Sequence, residues 1–285
     1  MSTLIATDLD RTMIYSRNAM GEKQFANVDP VCVEIYDDAP LSYMARAALT
    51  RLTSLAQQVS VVPTTTRTPA QFTRINLPGG PFRFVVTSNG GAILADGVRD
   101  PQWDSHIAAR TAADGASLAE VTSALRARIP TDGWVRKMRI ADDLFCYLVV
   151  EPDEQPADFL PDWQEYCAAH GWSASQQGRK IYAVPLAVTK SAAVDEVRRR
   201  LVADGTLPAD HIMLAAGDGW LDNDLLLCAD KAIRPCHGEL ESLGWQAPNL
   251  TVTAQSGALA GLEILEWMNT EVLQREYRTE EPDPV

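Results

Sequence analysis

Asp8 and Asp10 stand two residues apart in Leu4-Ile-Ala-Thr-Asp8-Leu9-Asp10-Arg11-Thr12, directly behind an apolar run. Residues i and i+2 of a strand face the same side, so the two carboxylates converge as the chain leaves a sheet. Adjacent carboxylates repel, and hard oxygen donors with no His or Cys nearby suit Mg²⁺. Taken alone, the pair also fits two solvated acids at a strand end.

Three further stretches change that balance. Val61-Val-Pro-Thr64-Thr65-Thr66-Arg67 is a strand running into a hydroxyl-rich turn and then a helix. Thr65 and Thr66 with free N–H groups there would make an anion site; otherwise they are helix caps and β-formers. Lys190, in Thr189-Lys190-Ser191, is by itself an ordinary surface lysine. Leu214-Ala-Ala-Gly217-Asp218-Gly-Trp-Leu-Asp222-Asn-Asp224 again ends an apolar run in Gly-Asp. Residues i and i+4 share a helix face, so Asp218 and Asp222 can share a cation. An acidic first turn complementing the helix dipole accounts for Asp222 or Asp224, and less well for Asp218. Together the four stretches supply carboxylates, hydroxyls and an ammonium, the inventory of a metal-assisted phosphate site.

Such a site needs elements that bring distant segments to one edge. Short apolar runs at 4–7, 59–62, 82–87, 211–216, 231–234 and 249–253 read as strands buried on both faces. Between them, 41–57, 190–203 and 257–275 carry apolar residues at helical spacing. Strand alternating with helix implies a doubly wound α/β parallel sheet. The middle of the chain breaks the rhythm, with helical patterns at 116–129 and 157–170 and extended runs at 134–151 and 180–184. This predicts a smaller α+β domain at 91–186 inserted into a core of 1–90 and 187–277, with 278–285 as a flexible tail.

The 285 residues include 25 basic and 38 acidic side chains, a formal charge of −13. That balance argues against a nucleic-acid partner, which needs an electropositive footprint. With 46% hydrophobic residues the chain is globular, not disordered. No run reaches the ~18–20 apolar residues of a membrane span, and the N-terminal run is too short for a signal peptide. Five scattered cysteines without a Cys-x-x-Cys pair read as reduced thiols, and the expected compartment is the cytoplasm. A monomer or homodimer is expected, with no membrane partner.

The order DLDRT, TTTRT, TKS and GDGWLD resembles the four motifs of the haloacid dehalogenase (HAD) superfamily, in the Cof-type and sucrose-phosphatase-like branch whose α/β cap lies between the second and third motifs. Thr87-Ser-Asn89-Gly90 resembles the loop entering that cap, and Ile181–Lys190 the segment leaving it. The resemblance implies a Mg²⁺-dependent phosphohydrolase acting on a small phosphorylated metabolite such as a sugar phosphate. It implies Asp8 as nucleophile forming an aspartyl-phosphate and Asp10 as general acid and base. Mg²⁺ would be held by Asp8, the Asp10 carbonyl, Asp218 and Asp222, with Asp224 as the alternative second acid. Thr65, Thr66 and Lys190 would hold the phosphoryl group. Asn89 and the cap's basic residues Arg136, Arg139 and Arg179 are candidates for reading the substrate; exposed strand faces explain the arginines equally well. A phosphomutase with the same intermediate, or a catalytically silent binding module, is the alternative.

Overall fold

The computed structural model describes residues 2–129 and 133–280. Its strands are β1 (Thr3–Thr7), β2 (Pro30–Tyr36), β3 (Ala39–Ala45), β4 (Ser60–Pro63), β5 (Phe84–Thr87), β6 (Ala92–Ala95), β7 (Val98–Arg99), β8 (Val135–Ala141), β9 (Phe145–Val150), β10 (Trp172–Gln177), β11 (Lys180–Pro185), β12 (Ile212–Ala216), β13 (Lys231–Arg234) and β14 (Leu250–Val252). The longer helices are α1 (Arg46–Gln58), α2 (Pro101–Ala113), α3 (Leu118–Arg126), α4 (Phe159–Ala169), α5 (Lys190–Ala203) and α6 (Ala258–Glu280). No helix of the described residues is long and apolar enough to cross a membrane.

The centre is an all-parallel sheet in the order β14-β13-β12-β1-β4. Leu4 and Ala6 of β1 pack with Val194, Val197 and Leu201 of α5 on one face. Ile5 packs with Leu52 and Leu55 of α1 and with Ile264, Leu265 and Met268 of α6 on the other. Burial on both faces is why these strands are apolar without alternation. The register sets Thr7 beside both Ala216 and Pro63. The chain therefore leaves β1, β4 and β12 side by side, at the carboxyl edge where open α/β sheets bind ligands.

A second, antiparallel sheet runs β10-β11-β9-β8. Val121 and Leu125 of α3 and Trp163 and Cys167 of α4 cover one face of it, in a core continuous with that of the parallel sheet. The architecture is thus a Rossmann-like parallel core carrying a smaller α+β cap.

Three boundaries differ from the expected ones. The helix expected at 41–57 starts at Arg46, because 41–45 belong to the antiparallel hairpin β2–β3. Ser42 and Met44 point inward there while Leu41 is exposed, a two-residue period that the following helix masks in the sequence. Residues 92–99, expected in the cap, form β6, which pairs with β5, and β7, which pairs with β6. An isolated bridge from Thr64 to Val86 links β5 to the end of β4. Helix α6 continues through Glu280, two residues short of Pro282, whose ring disfavours helical backbone in the residue before it. Of the expected tail, 278–280 are therefore helical and 281–285 lie outside the described residues.

Candidate active site

The carboxyl edge of the parallel sheet gathers four segments far apart in sequence. Asp8 follows β1 and donates its N–H to Ala216 O at 2.9 Å, which pins it beside the β12 turn. Lys190 is the first residue of α5, whose N-cap Thr189 accepts from the Ala192 N–H. Lys190 is buried, and its Nζ donates to Asp8 Oδ1 at 2.6 Å and to Asp222 Oδ1 at 2.5 Å. Asp222 Oδ2 in turn accepts from the N–H groups of Asp218 and Gly219, at 3.1 and 2.9 Å. Gly217 makes this turn possible, since a Cβ there would lie 2.4 Å from the Asp222 carboxylate.

Asp8, Asp218 and Asp222 are all buried, and each offers a carboxylate oxygen within 4.8 Å of the other two. The Lys190 ammonium pairs with two of these acids, Asp8 and Asp222. Burial pushes Asp8 up to about 7 despite the pull of Lys190, with repulsion from Asp222 and Asp10 adding to it. Asp218 is raised well above the carboxylate range by burial and then by Asp8 and Asp222. For Lys190, burial opposes the charge but the two carboxylates outweigh it, so its pKa lies above the usual lysine range. Asp224 is exposed in the first turn of the short helix Asn223–Cys228, which makes Asp222 the acid that joins the cluster.

Asp218 Oδ1 accepts from Gln177 Nε2 at 2.8 Å, whereas its buried Oδ2 has no hydrogen-bond donor. Arg11 Nε is the nearest cation, at 3.4 Å. A Cβ on Gly238 would lie 2.6 Å from that Oδ2, so the glycine leaves space beside it. Three clustered oxygen donors, one of them unpartnered, fit a hard divalent cation such as Mg²⁺.

Asp10 lies outside this cluster. Arg67 holds it with two bonds, Nε to Oδ2 at 2.7 Å and Nη2 to Oδ1 at 2.8 Å. Burial alone would raise Asp10, but the hydrogen bonds and charge of Arg67 overcome it and hold the carboxyl below its ordinary range. Thr65 is buried and its hydroxyl accepts from the Arg67 N–H at 3.2 Å. Thr66 lines a small cavity with Asp8, Lys190, Asp222, Ser175 and Gln177, the last two from the cap strand β10. This chamber adjoins a larger one of about 660 Å³ between cap and core, lined among others by Arg11, Gln164, Gln176, Trp220 and Glu239.

Of the candidates for reading substrate, none reaches the cavities. Asn89 is buried and donates to Val188 O at 3.0 Å, joining the two crossings between core and cap. Arg136 and Arg139 lie on β8, the edge strand farthest from β10, and Arg136 pairs with Glu151 and Glu154. Arg179, in the β10–β11 turn, also pairs with Glu151. Glu151, directly after β9, thus pairs with both Arg136 and Arg179. The residues that do meet it, Arg67, Gln177 and Glu239, carried weak signals: Arg67 stands inside the threonine motif, and Gln177 is next to the basic island around Arg179.

No family model and no curated protein matches this sequence. Solved structures do. The sucrose-phosphatase of Synechocystis, in complex with sucrose and phosphate, is 14% identical with a TM-score of 0.63, covering 94% of this chain and 98% of its own. A HAD subclass IIB sugar phosphatase is 10% identical, TM-score 0.51, covering 95% and 99%. A HAD-superfamily phosphatase from Bacteroides thetaiotaomicron is 11% identical, TM-score 0.50, covering 95% and 96%. The fold is that of the HAD-superfamily phosphatases. In this HAD fold the parallel sheet is the Rossmannoid core and the sheet β10-β11-β9-β8 belongs to its cap.

Proposed function

We propose that the protein is a Mg²⁺-dependent phosphohydrolase acting on a small phosphorylated metabolite, a sugar phosphate by preference, through an aspartyl-phosphate. The observation that carries this reading is the buried set Asp8, Lys190, Asp218 and Asp222 at the carboxyl edge of the sheet. The HAD fold, shared with a sucrose-phosphatase and a sugar phosphatase, supports it.

Asp8 is the nucleophile. An Asp8 oxygen bonds to phosphorus as the bond from phosphorus to the leaving oxygen breaks, and Asp10 protonates that oxygen. Arg67 favours the ionised form of Asp10, whereas a bound phosphate dianion raises its pKa and readies it as an acid. In the second step Asp10 takes a proton from water, which releases phosphate from Asp8. Lys190 offsets the charge on the phosphoryl oxygens from a dry position, and Thr65 and Thr66 border it. Asp8, Asp218 and Asp222, with the Asp10 carbonyl, would hold Mg²⁺. The bound ion lowers the repulsion between a carboxylate nucleophile and a phosphate dianion. The cap, which we place between the hairpin β6–β7 and β12's preceding helix α5, excludes water and reads the leaving group through the chamber lined by Gln164, Gln176, Trp220 and Glu239.

The test is release of inorganic phosphate from a panel of phosphorylated sugars, sugar acids and nucleotides, with Mg²⁺ or with EDTA. Metal-dependent release that Asp8→Asn abolishes is expected. Activity that survives in Asp8→Asn removes the nucleophile assignment, and transfer to another hydroxyl without free phosphate identifies a mutase.

A further inference from the structure

Glu34 is a carboxylate buried to 1% exposure on the hairpin β2–β3, outside the four motifs. Burying an acid is costly unless its charge is matched and its lone pairs are filled. Here Arg67 Nη1 donates to Glu34 Oε1 at 2.7 Å and Arg74 Nη2 at 3.3 Å, while Ser42 Oγ donates to Oε2 at 2.6 Å. Arg67 also donates to Asp10 through Nε and Nη2, and Nη2 reaches Ser42 Oγ at 3.4 Å. Its guanidinium is therefore stretched between two carboxylates, Glu34 buried in the hairpin and Asp10 two residues beyond Asp8.

The hairpin is bent to make that contact. Its register shifts on both sides of Glu34, between Cys32 and Glu34 and between Glu34 and Ile35. A bulge of this kind re-aims a side chain. Glu34 also bridges Ile75, one residue beyond Arg74, which fixes the strand over the loop that carries Arg67.

We propose that Glu34 is a positioning residue for Asp10: together with Ser42 it holds Arg67 in the geometry that aims the Asp10 carboxyl at the leaving oxygen. The proposal rests on the phosphohydrolase reading above. A fixed guanidinium plane keeps Asp10 in one orientation, and general-acid catalysis depends on orientation to a fraction of an ångström. Without Glu34, Arg67 keeps only Asp10 and the longer contact to Ser42, and can swing with Asp10.

The leaving group provides the test. An alkoxide needs a proton as it departs, whereas p-nitrophenolate leaves unaided. The ratio of kcat/KM for the best sugar phosphate of the panel to that for p-nitrophenyl phosphate therefore reports the acid step alone. In Glu34→Gln, of equal shape, the ratio is expected to fall about 10-fold or more, a part of the ~10²–10⁴ a positioned acid supplies. Arg67→Lys should lower it similarly, and the double variant should fall no further than the worse single one, since both act through one contact. Equal losses on both substrates, or none, overturn the proposal while leaving the phosphohydrolase standing. Activity that is absent in the native chain or persists in Asp8→Asn overturns the reading itself. Ser42→Ala, which removes one donor and no charge, supplies the same ratio should Glu34→Gln fail to fold.

Discussion

Gln177, on the last residue of cap strand β10, donates its side-chain N–H to Asp218 of the core at 2.8 Å. Its neighbour Gln176 donates its backbone N–H to Glu239 at 3.2 Å, and Glu239 also accepts from the Trp220 N–H. Two consecutive cap residues thus latch onto the core, one of them on a candidate metal ligand. Closure of the cap and the orientation of Asp218 are linked by this contact.

Gln177→Ala should therefore affect metal use as well as substrate binding. Losing a bond that orients a metal ligand typically costs about 10- to 100-fold in metal affinity, and apparent Mg²⁺ affinity should fall by roughly that much. Calorimetric Mg²⁺ titration without substrate measures this directly. Unchanged affinity would confine Gln177 to the cap.

Lys190→Met leaves Asp8 and Asp222 buried with no cation between them. Breaking a buried pair this way costs about 3–5 kcal/mol, and the variant should melt well below the native protein. Phosphate release should be lost. Because Mg²⁺ would substitute for the missing charge, adding it should recover part of the melting temperature; no recovery would count against a cation site among these acids.

Glu239 supplies a pH dependence. Burial raises it from 4.5 to about 7, against the two backbone donors that favour its charge. A carboxyl raised in the folded state stabilises the fold fully below its unfolded pKa and loses that contribution as pH rises through the folded value. Urea midpoints of the native chain should therefore fall relative to those of Glu239→Gln between about pH 4.5 and 7.5. A constant difference across that range would place Glu239 at an ordinary pKa.

Two acids and two arginines provide the contrast. Asp222→Asn leaves one acceptor oxygen where Asp222 has two, so either Lys190 or the two backbone N–H groups face an amide donor, and the change should abolish activity. Asp224→Asn is exposed and should stay within about twofold of native, as surface changes usually do. Arg136→Ala and Arg139→Ala on the far cap strand should behave likewise, measured as kcat/KM on the best substrate of the panel. A tenfold loss in either arginine variant would mean that the cap presents β8 to the substrate.

The sequence by itself determined the parallel core and marked the four segments that meet at its carboxyl edge. These are local properties: an apolar run with an acid behind it marks a buried strand and its exit, and it does so wherever the chain later folds. Asp8 and Asp218 stood out for that reason, and Lys190 only through their company. The tertiary structure decided what depends on register and packing. Only the alignment of Thr7 with Ala216 and Pro63 sets the exits side by side, and only the facing of a short helix separates Asp222 from Asp224. The hairpin β2–β3 was hidden because its inward period of two runs straight into the period of α1, and with it the anchoring of Arg67 by Glu34. The cap arginines stood as substrate candidates or exposed strand charges alike, because charge is visible in a sequence and its partner is not. In the fold, Glu151 claims Arg136 and Arg179, and uncharged Gln177 reaches the site instead.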